Sequence, residues 1–110
     1  MDDKLLRILG LCRRAGKLEI GVRASLDAVK YKRAELILIA ADAAKNAELL
    51  INEINKIKNT EKSGVNRCIE GVRLKYNKTE LGGALGRGET SAVCIKDKSF
   101  ANEILKLLDV

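Results

Sequence analysis

Basic side chains cluster where the sequence predicts that one helix ends and the next begins. Arg13, Arg14 and Lys17 surround the predicted end of the first helix, and Arg23 lies in the first turn of the second. Guanidinium and ammonium groups beside the free backbone N–H groups of a helix start can contact phosphate oxygens together. Each residue also has a plainer interpretation, since a cation at a helix C-terminus complements the helix dipole. The cluster as a whole favours an anionic ligand.

A second candidate is the glycine-rich segment 82–88, which reads GGALGRG. Backbone amides in such a segment can approach an anion closely because no side chain intrudes. A nucleotide site is not indicated, because the segment lacks the Gly-Lys-Ser/Thr of a Walker loop and follows a predicted helix rather than a strand. Two interpretations stay open: the glycines end a helix and turn the chain, or they form a loop that contacts RNA. Gly82 and Gly83 each cost about 1 kcal/mol relative to Ala inside a helix, and the close approach of another backbone is one explanation.

The residue types exclude most catalytic chemistry. The chain has no histidine, which excludes Ser-His and Cys-His dyads, histidine metal sites and imidazole acid–base catalysis. Cys12, Cys68 and Cys94 show no CxxC spacing and are predicted to be free thiols, the first and last buried among apolar neighbours. Asp42 is predicted to cap the helix that follows it. We therefore expect no catalytic residue, no metal and no cofactor, and we do not expect an enzyme.

The composition is that of one compact domain with a basic surface. The 110 residues are 46% hydrophobic and 33% charged with a net charge of +6, which predicts a single domain over residues 1–110 with an anionic partner. Residues 56–87 contain eight Lys and Arg against three Asp and Glu, whereas residues 88–110 contain three against four. Only two Tyr and one Phe are aromatic, so stacking of single-stranded bases is not indicated. The sequence shows no signal or membrane-spanning stretch, and we expect no membrane and a cytoplasmic location.

Hydrophobic periodicity predicts alternating helices and strands. Helices are predicted at 2–15, from residue 21 onwards, at 42–58, at 78–85 and from residue 97, with Gly16 ending the first of them. Strands are predicted at 17–20, 35–41, 72–76 and 91–95, the second central and buried on both faces, the third an edge strand. Residues 59–71 are predicted to be an exposed loop. This order favours a three-layer α/β/α sandwich with a small mixed four-stranded sheet.

Three segments together carry a family resemblance. They are 9–18 (LGLCRRAGKL), 36–42 (LILIAAD) and 78–87 (KTELGGALGR), and they occur in the order and spacing of one family. The chain resembles the ribosomal protein L-seven-Ae/L-thirty-e superfamily, and within it the small bacterial YlxQ-type proteins. The resemblance covers nearly the whole chain except residues 59–71.

The resemblance implies an α/β/α sandwich that binds structured RNA, typically kink-turns. The RNA face would comprise the start of the second helix, the loop after the central strand and the loop before the last strand. Cations would contact phosphates, and the glycines would let backbone amides approach a bent strand. The expected RNA-binding residues are Arg13, Lys17, Gly21, Arg23, Asp42, Lys45, Gly86 and Arg87.

The chain departs from the family pattern after Gly21. Kink-turn binders commonly carry an Asn-Glu pair and then a Lys there, which read tandem sheared G·A pairs, whereas this chain has Arg23, Ala24 and Asp27. Losing a base-edge reader while keeping cations reduces specificity more than electrostatic affinity.

Two functional hypotheses follow. The first is non-enzymatic binding of structured RNA, either a kink-turn or ribosomal RNA, in association with the ribosome or translation and without a small-molecule substrate. The alternative is a protein-interaction module on the same scaffold that has lost specific kink-turn recognition.

Overall fold

The fold is built from alternating helices and strands, as the periodicity predicts. A computed structural model describes residues 3–31, 33–60 and 70–108. The helices in these ranges are α1 (Asp3–Arg14), α2 (Val22–Lys30), α3 (Ala44–Thr60), α4 (Lys78–Ala84) and α5 (Lys98–Leu108). The strands are β1 (Leu18–Ile20), β2 (Leu36–Ile39), β3 (Glu70–Arg73) and β4 (Ala92–Ile95).

The four strands form one mixed sheet in the order β1-β4-β2-β3. β2 pairs with β3 in parallel, and β4 pairs antiparallel with both β1 and β2. Every residue of β2 and of β4 is buried, as the uninterrupted apolar run of Leu36–Ile39 predicts for a central strand covered on both faces. The predicted mixed four-stranded sheet is confirmed.

Helices form the two outer layers of the predicted sandwich. α2 and α3 pack against each other and against β4 and β3 respectively, while α1 packs against α4 and α5. α1 ends at Arg14, and Gly16, which the sequence predicts as its stop, makes the turn that follows. Gly16 has φ +72°, its N–H bonds to the carbonyl of Arg13, and the N–H of Lys17 bonds to the carbonyl of Cys12. Glycine reaches this left-handed conformation without steric cost.

The edge strand lies earlier in the chain than its alternating pattern predicts. β3 begins at Glu70, opposite Leu36, because parallel pairing with β2 continues along the whole length of that strand. After Arg73 one more backbone bond forms, from Leu74 N–H to the carbonyl of Ile39, before the chain bends. The predicted loop 59–71 is therefore wrong at both ends, since α3 extends to Thr60 and β3 starts at Glu70. Its middle part, 61–69, lies outside the described residues.

The helices in the described part of the chain lack the length and apolar character that crossing a membrane would require.

Candidate functional site

Three segments that the sequence singles out meet at one end of the sheet. The N–H of Gly21 bonds to the carbonyl of Ala92 at 2.8 Å, and the N–H of Ala40 bonds to the carbonyl of Ser91 at 2.8 Å. These bonds place the start of α2, the loop after β2 and the residues before β4 side by side. We refer to these three segments together as the loop surface, which comprises residues 21–24, 40–45 and 85–91.

The start of α2 is not capped by a side chain. Gly21 occupies the N-cap position with φ 106° and ψ 161°, and no side chain caps the helix. The first N–H groups of a helix have no partner within the helix. Arg23 is exposed in this first turn, Ala24 is half-buried and Asp27 is exposed one turn later. The first two turns of α2 thus expose one cation and one anion.

The loop after β2 is tied to the start of α4. The Oδ1 atom of Asp42 accepts a hydrogen bond from the N–H of Lys78 at 2.8 Å, and the N–H of Ala41 bonds to the carbonyl of Tyr76 at 2.8 Å. We predicted that Asp42 would cap α3, but the hydrogen bond that the structure gives its carboxylate reaches α4, 36 residues away. Asp42 is exposed, so it joins two segments of the site at its surface.

The start of α4 is closed by its own side chains. The Oδ1 atom of Asn77 accepts from the N–H of Glu80 at 2.8 Å, and Glu80 Oε1 accepts from the N–H of Asn77 at 3.0 Å. This reciprocal pair is the predicted capping box. Together with Asp42, it satisfies N–H groups at the start of α4. The corresponding N–H groups at the start of α2 have no side-chain cap.

Backbone contact explains one of the two helical glycines. A Cβ atom on Gly82 would lie 1.8 Å from the carbonyl oxygen of Gly88. The same carbonyl accepts a 3.1 Å hydrogen bond from the hydroxyl of Thr90, and the N–H of Thr90 bonds to the carbonyl of Lys78. The segment after α4 therefore folds back along the helix, which confirms the close approach suggested for Gly82. Nothing lies within 4 Å of a Cβ on Gly83, and the structure does not explain that glycine.

Gly86 and Arg87 form the turn that leaves α4. Gly86 has φ +69°, a conformation that favours glycine, and the N–H of Arg87 bonds to the carbonyl of Gly82 at 2.8 Å. The side chain of Arg87 is exposed. The glycines thus end a helix and turn the chain, and the same turn presents a cation on the segment that leads to Ser91.

Two of the predicted RNA-binding cations lie away from Gly21. Lys17 is at the opposite end of β1, where its carbonyl accepts from the N–H of Lys96 at 2.9 Å. Arg13 is exposed on α1 and its Nη1 atom donates to the carbonyl of Leu85, the C-cap residue of α4. The bonds at Ser91 and Ala92 bring the start of α2, with Gly21 and Arg23, next to the loop after β2, with Asp42 and Lys45. Gly86 and Arg87 lie earlier on the segment that leads to Ser91. The structure does not bring Lys17 to the loop surface, and it places Arg13 beside the turn at Gly86.

Asn46 is a residue of this site that the sequence patterns do not indicate. Its Nδ2 atom donates to the Oγ atom of Ser91 at 3.1 Å, which fastens the first turn of α3 to the residue before β4. Asn46 is half-buried, whereas its neighbour Lys45 is exposed. The available signal was position, since Asn46 is a carboxamide only four residues after Asp42 in a segment already assigned to the site.

The geometry suits anion binding rather than nucleophilic catalysis. Burial raises the pKa of the Cys12 thiol to about 11 and that of Cys94 to about 12, with smaller contributions from the nearby carboxylates of Asp97 and Glu19 respectively. Both thiols are therefore protonated near pH 7, and a protonated thiol is a poor nucleophile. Cys68 lies outside the described residues. Among the described residues, no group of three or more His, Cys, Asp or Glu side chains is placed to hold a metal ion.

Known proteins of similar fold and sequence share this architecture. The chain is 29% identical over 106 residues to a protein named RNA-binding protein YlxQ from Bacillus subtilis (strain 168), covering 93% of this chain and 92% of that protein. It superposes on a Bacillus halodurans protein of unknown function with a TM-score of 0.81 at 24% identity, covering 99% and 100% of the two chains. The Giardia lamblia 15.5kD RNA binding protein gives a TM-score of 0.68 at 20% identity, covering 96% and 82%.

A family model gives the assignment. The model described as "Ribosomal protein L7Ae/L30e/S12e/Gadd45 family" matches residues 3–105. That range includes every described strand and helix except the last turn of α5. It therefore covers the whole sheet and both helical layers. The chain belongs to the ribosomal protein L7Ae/L30e/S12e/Gadd45 family.

Proposed function

We propose that this protein binds structured RNA at the loop surface and does so without catalysing a reaction. The observation that carries the proposal is the start of α2, which has no side-chain cap and lies at the sheet end that also presents exposed cations. Free N–H groups and cations together form a site for phosphate oxygens. The similarity to the Bacillus subtilis protein named as RNA-binding supports the same ligand class.

More specifically, we propose that the RNA is bent and is either a kink-turn or a segment of ribosomal RNA. We also propose that the protein acts with the ribosome or in translation. Arg23, Lys45 and Arg87 would contact phosphates, while Gly21 and Gly86 let the RNA backbone approach closely. Three neutralised phosphates correspond to a slope of log affinity against log salt of roughly −2.1 for single-stranded and roughly −2.7 for duplex-like RNA.

A second candidate is a protein-interaction module. The observation that favours it is the start of α2, where exposed Arg23 and Asp27 flank half-buried Ala24 in place of the usual base-reading side chains. Under this alternative, RNA binding is no stronger than that of any basic protein, and a protein partner stays bound after nuclease treatment.

The test is a fluorescence-anisotropy titration with a kink-turn RNA and with the same RNA lacking its G·A pairs, each at two salt concentrations. We expect salt-dependent binding to the kink-turn RNA and weaker binding to the altered RNA. Equal binding to both RNAs would remove the kink-turn proposal and leave structured RNA as the ligand class. A slope near zero would contradict RNA binding altogether.

A matched pair of triple variants locates the site. Replacing Arg23, Lys45 and Arg87 with Ala removes the three exposed cations of the loop surface, and we expect the salt slope to become less negative by about 2 to 3. The control replaces Lys30, Lys98 and Lys106 with Ala, which removes the same charge from exposed positions elsewhere. Equal losses in the two variants would mean that binding follows net charge and not this surface.

A further inference from the structure

The strongest charge feature outside the loop surface lies on the edge strand. What we infer from it rests on the proposed function. Residues 56–87 hold a large excess of cations, eight against three acidic residues, and β3 is one of the two edge strands of the sheet. Arg73 and Lys75 are exposed, while Leu74 and Tyr76 between and beside them are buried. We refer to Arg73 and Lys75 as the edge patch.

The edge patch lies at the same end of the sheet as the loop surface. Arg73 is paired with Ile39, the last residue of β2, and Ile39 is paired with Ala92, the first residue of β4. Gly21 bonds to that same Ala92 from the opposite edge. Three strand spacings of about 4.8 Å separate the two edges, so the cations extend over about 14 Å of this end.

The helix beside β3 connects the edge patch with the loop surface. A Cβ on Gly71 would lie 3.0 Å from Cδ1 of Ile54, so Gly71 faces α3. Alternation along a strand places Arg73 on that same side. α3 begins at Ala44, and its exposed Lys45 belongs to the loop surface. The helix that carries Lys45 in its first turn therefore packs against the strand that carries Arg73.

The ammonium group of Lys75 is held in place by an aromatic ring. Its Nζ atom lies 5.6 Å from the centroid of the Tyr76 ring, a cation–π arrangement that favours this position of the ammonium group. A positioned ammonium loses less freedom when it meets a phosphate than a freely moving one does. The edge patch thus combines charge with partial preorganisation.

We infer that Arg73 and Lys75 form a second phosphate-contacting site, which binds the stem of an RNA whose bend lies on the loop surface. Double-helical RNA is recognised mainly through shape, phosphates and 2′-hydroxyl groups, so cations at the sheet edge match the phosphates of a stem. The stem would follow the sheet end from the start of α2 towards β3. The plainer role for these residues is protection of an edge strand from aggregation, which predicts no effect on RNA binding.

The test compares two RNAs and two double variants. One RNA carries a kink-turn with stems just long enough to close it, and the other has the same kink-turn with each stem one helical turn longer. The variant Arg73→Ala, Lys75→Ala is compared with the control Lys30→Ala, Lys98→Ala, which loses the same charge from exposed positions on α2 and α5. Thermal melts of both variants establish that each remains folded.

We expect the edge-patch variant to bind the long-stem RNA with a salt slope less negative by about 1.8 than that of the wild type. On the short-stem RNA it should match the control. An edge-patch variant that matches the control on both RNAs overturns the inference, as does one that weakens binding equally on both. A wild-type slope near zero on either RNA contradicts the proposed function itself, so the two failures are distinguishable.

Discussion

The starts of α2 and α4 face the same end of the sheet but are built in opposite ways. α4 begins with a capping box from Asn77 and Glu80, and Asp42 binds a further N–H group. α2 begins at Gly21 and has no side-chain cap. A helix start whose donors are satisfied within the chain stabilises the fold, whereas one without a side-chain cap is available to an anion. We therefore expect the start of α4 to stabilise the shape of the site and the start of α2 to contact the ligand.

The largest expected effect is on the α4 side. Gly82→Ala places a methyl group against the carbonyl of Gly88, where a Cβ would lie at 1.8 Å, and overpacking of this kind costs about 3 kcal/mol. Because the obstacle is backbone, the segment after α4 must move. Chemical denaturation measures the loss.

Gly83→Ala is the matched control, since its Cβ meets open space, and the change should stabilise the helix by up to about 1 kcal/mol. Equal stability of the two variants would show that the segment is not held against α4.

A smaller loss is expected when the cap of α4 is removed. Asn77→Ala eliminates the side chain that accepts from the N–H of Glu80, and we expect a loss of about 1 kcal/mol in the free energy of unfolding. The salt slope for RNA should remain that of the wild type. A changed salt slope with unchanged stability would instead mean that the start of α4 contacts the RNA and does not stabilise the fold.

The smallest effect on stability is expected on the α2 side. Arg23 is exposed, so Arg23→Ala should change stability by less than about 0.5 kcal/mol. The salt slope should become less negative by about 0.7 to 0.9, the contribution of one phosphate contact. Lys98→Ala is the control for loss of one charge. If Arg23→Ala instead lowers the melting temperature by several degrees, this side chain belongs to the fold.

The sequence predicted most of the fold because its signals are local. The apolar run at Leu36–Ile39 has no polar interruption, and Asn77 and Glu80 have the spacing of a capping box, so both elements were found in nearly their observed places. β3 was displaced because its start depends on the length of its partner β2. A pairing partner is a tertiary property that the alternation of Val72, Arg73 and Leu74 does not encode.

The candidate site was harder to predict than the fold. Arg23 is a candidate because a cation near a predicted helix start is visible in the sequence, whereas Lys45 and Arg87 are candidates through the family resemblance. The bonds from Asp42 to Lys78 and from Asn46 to Ser91 join residues 36 and 45 positions apart, and no local pattern indicates such pairs. Lys17 lies on the far side of β1 because even a three-residue strand separates its two ends. The RNA contacts of all these residues remain predictions.

The position of β4 has a consequence for how the chain acquires its structure during synthesis. β4 lies between β1 and β2, yet it is the last strand of the chain. Until residues 92–95 leave the ribosome, β1 lacks its neighbour and one side of β2 is uncovered. Contacts between distant parts of a chain form late and leave strand edges open to wrong partners meanwhile. Completion of the sheet therefore waits for the synthesis of residues 92–95, and the loop surface, which is assembled around the start of β4, forms at the same stage.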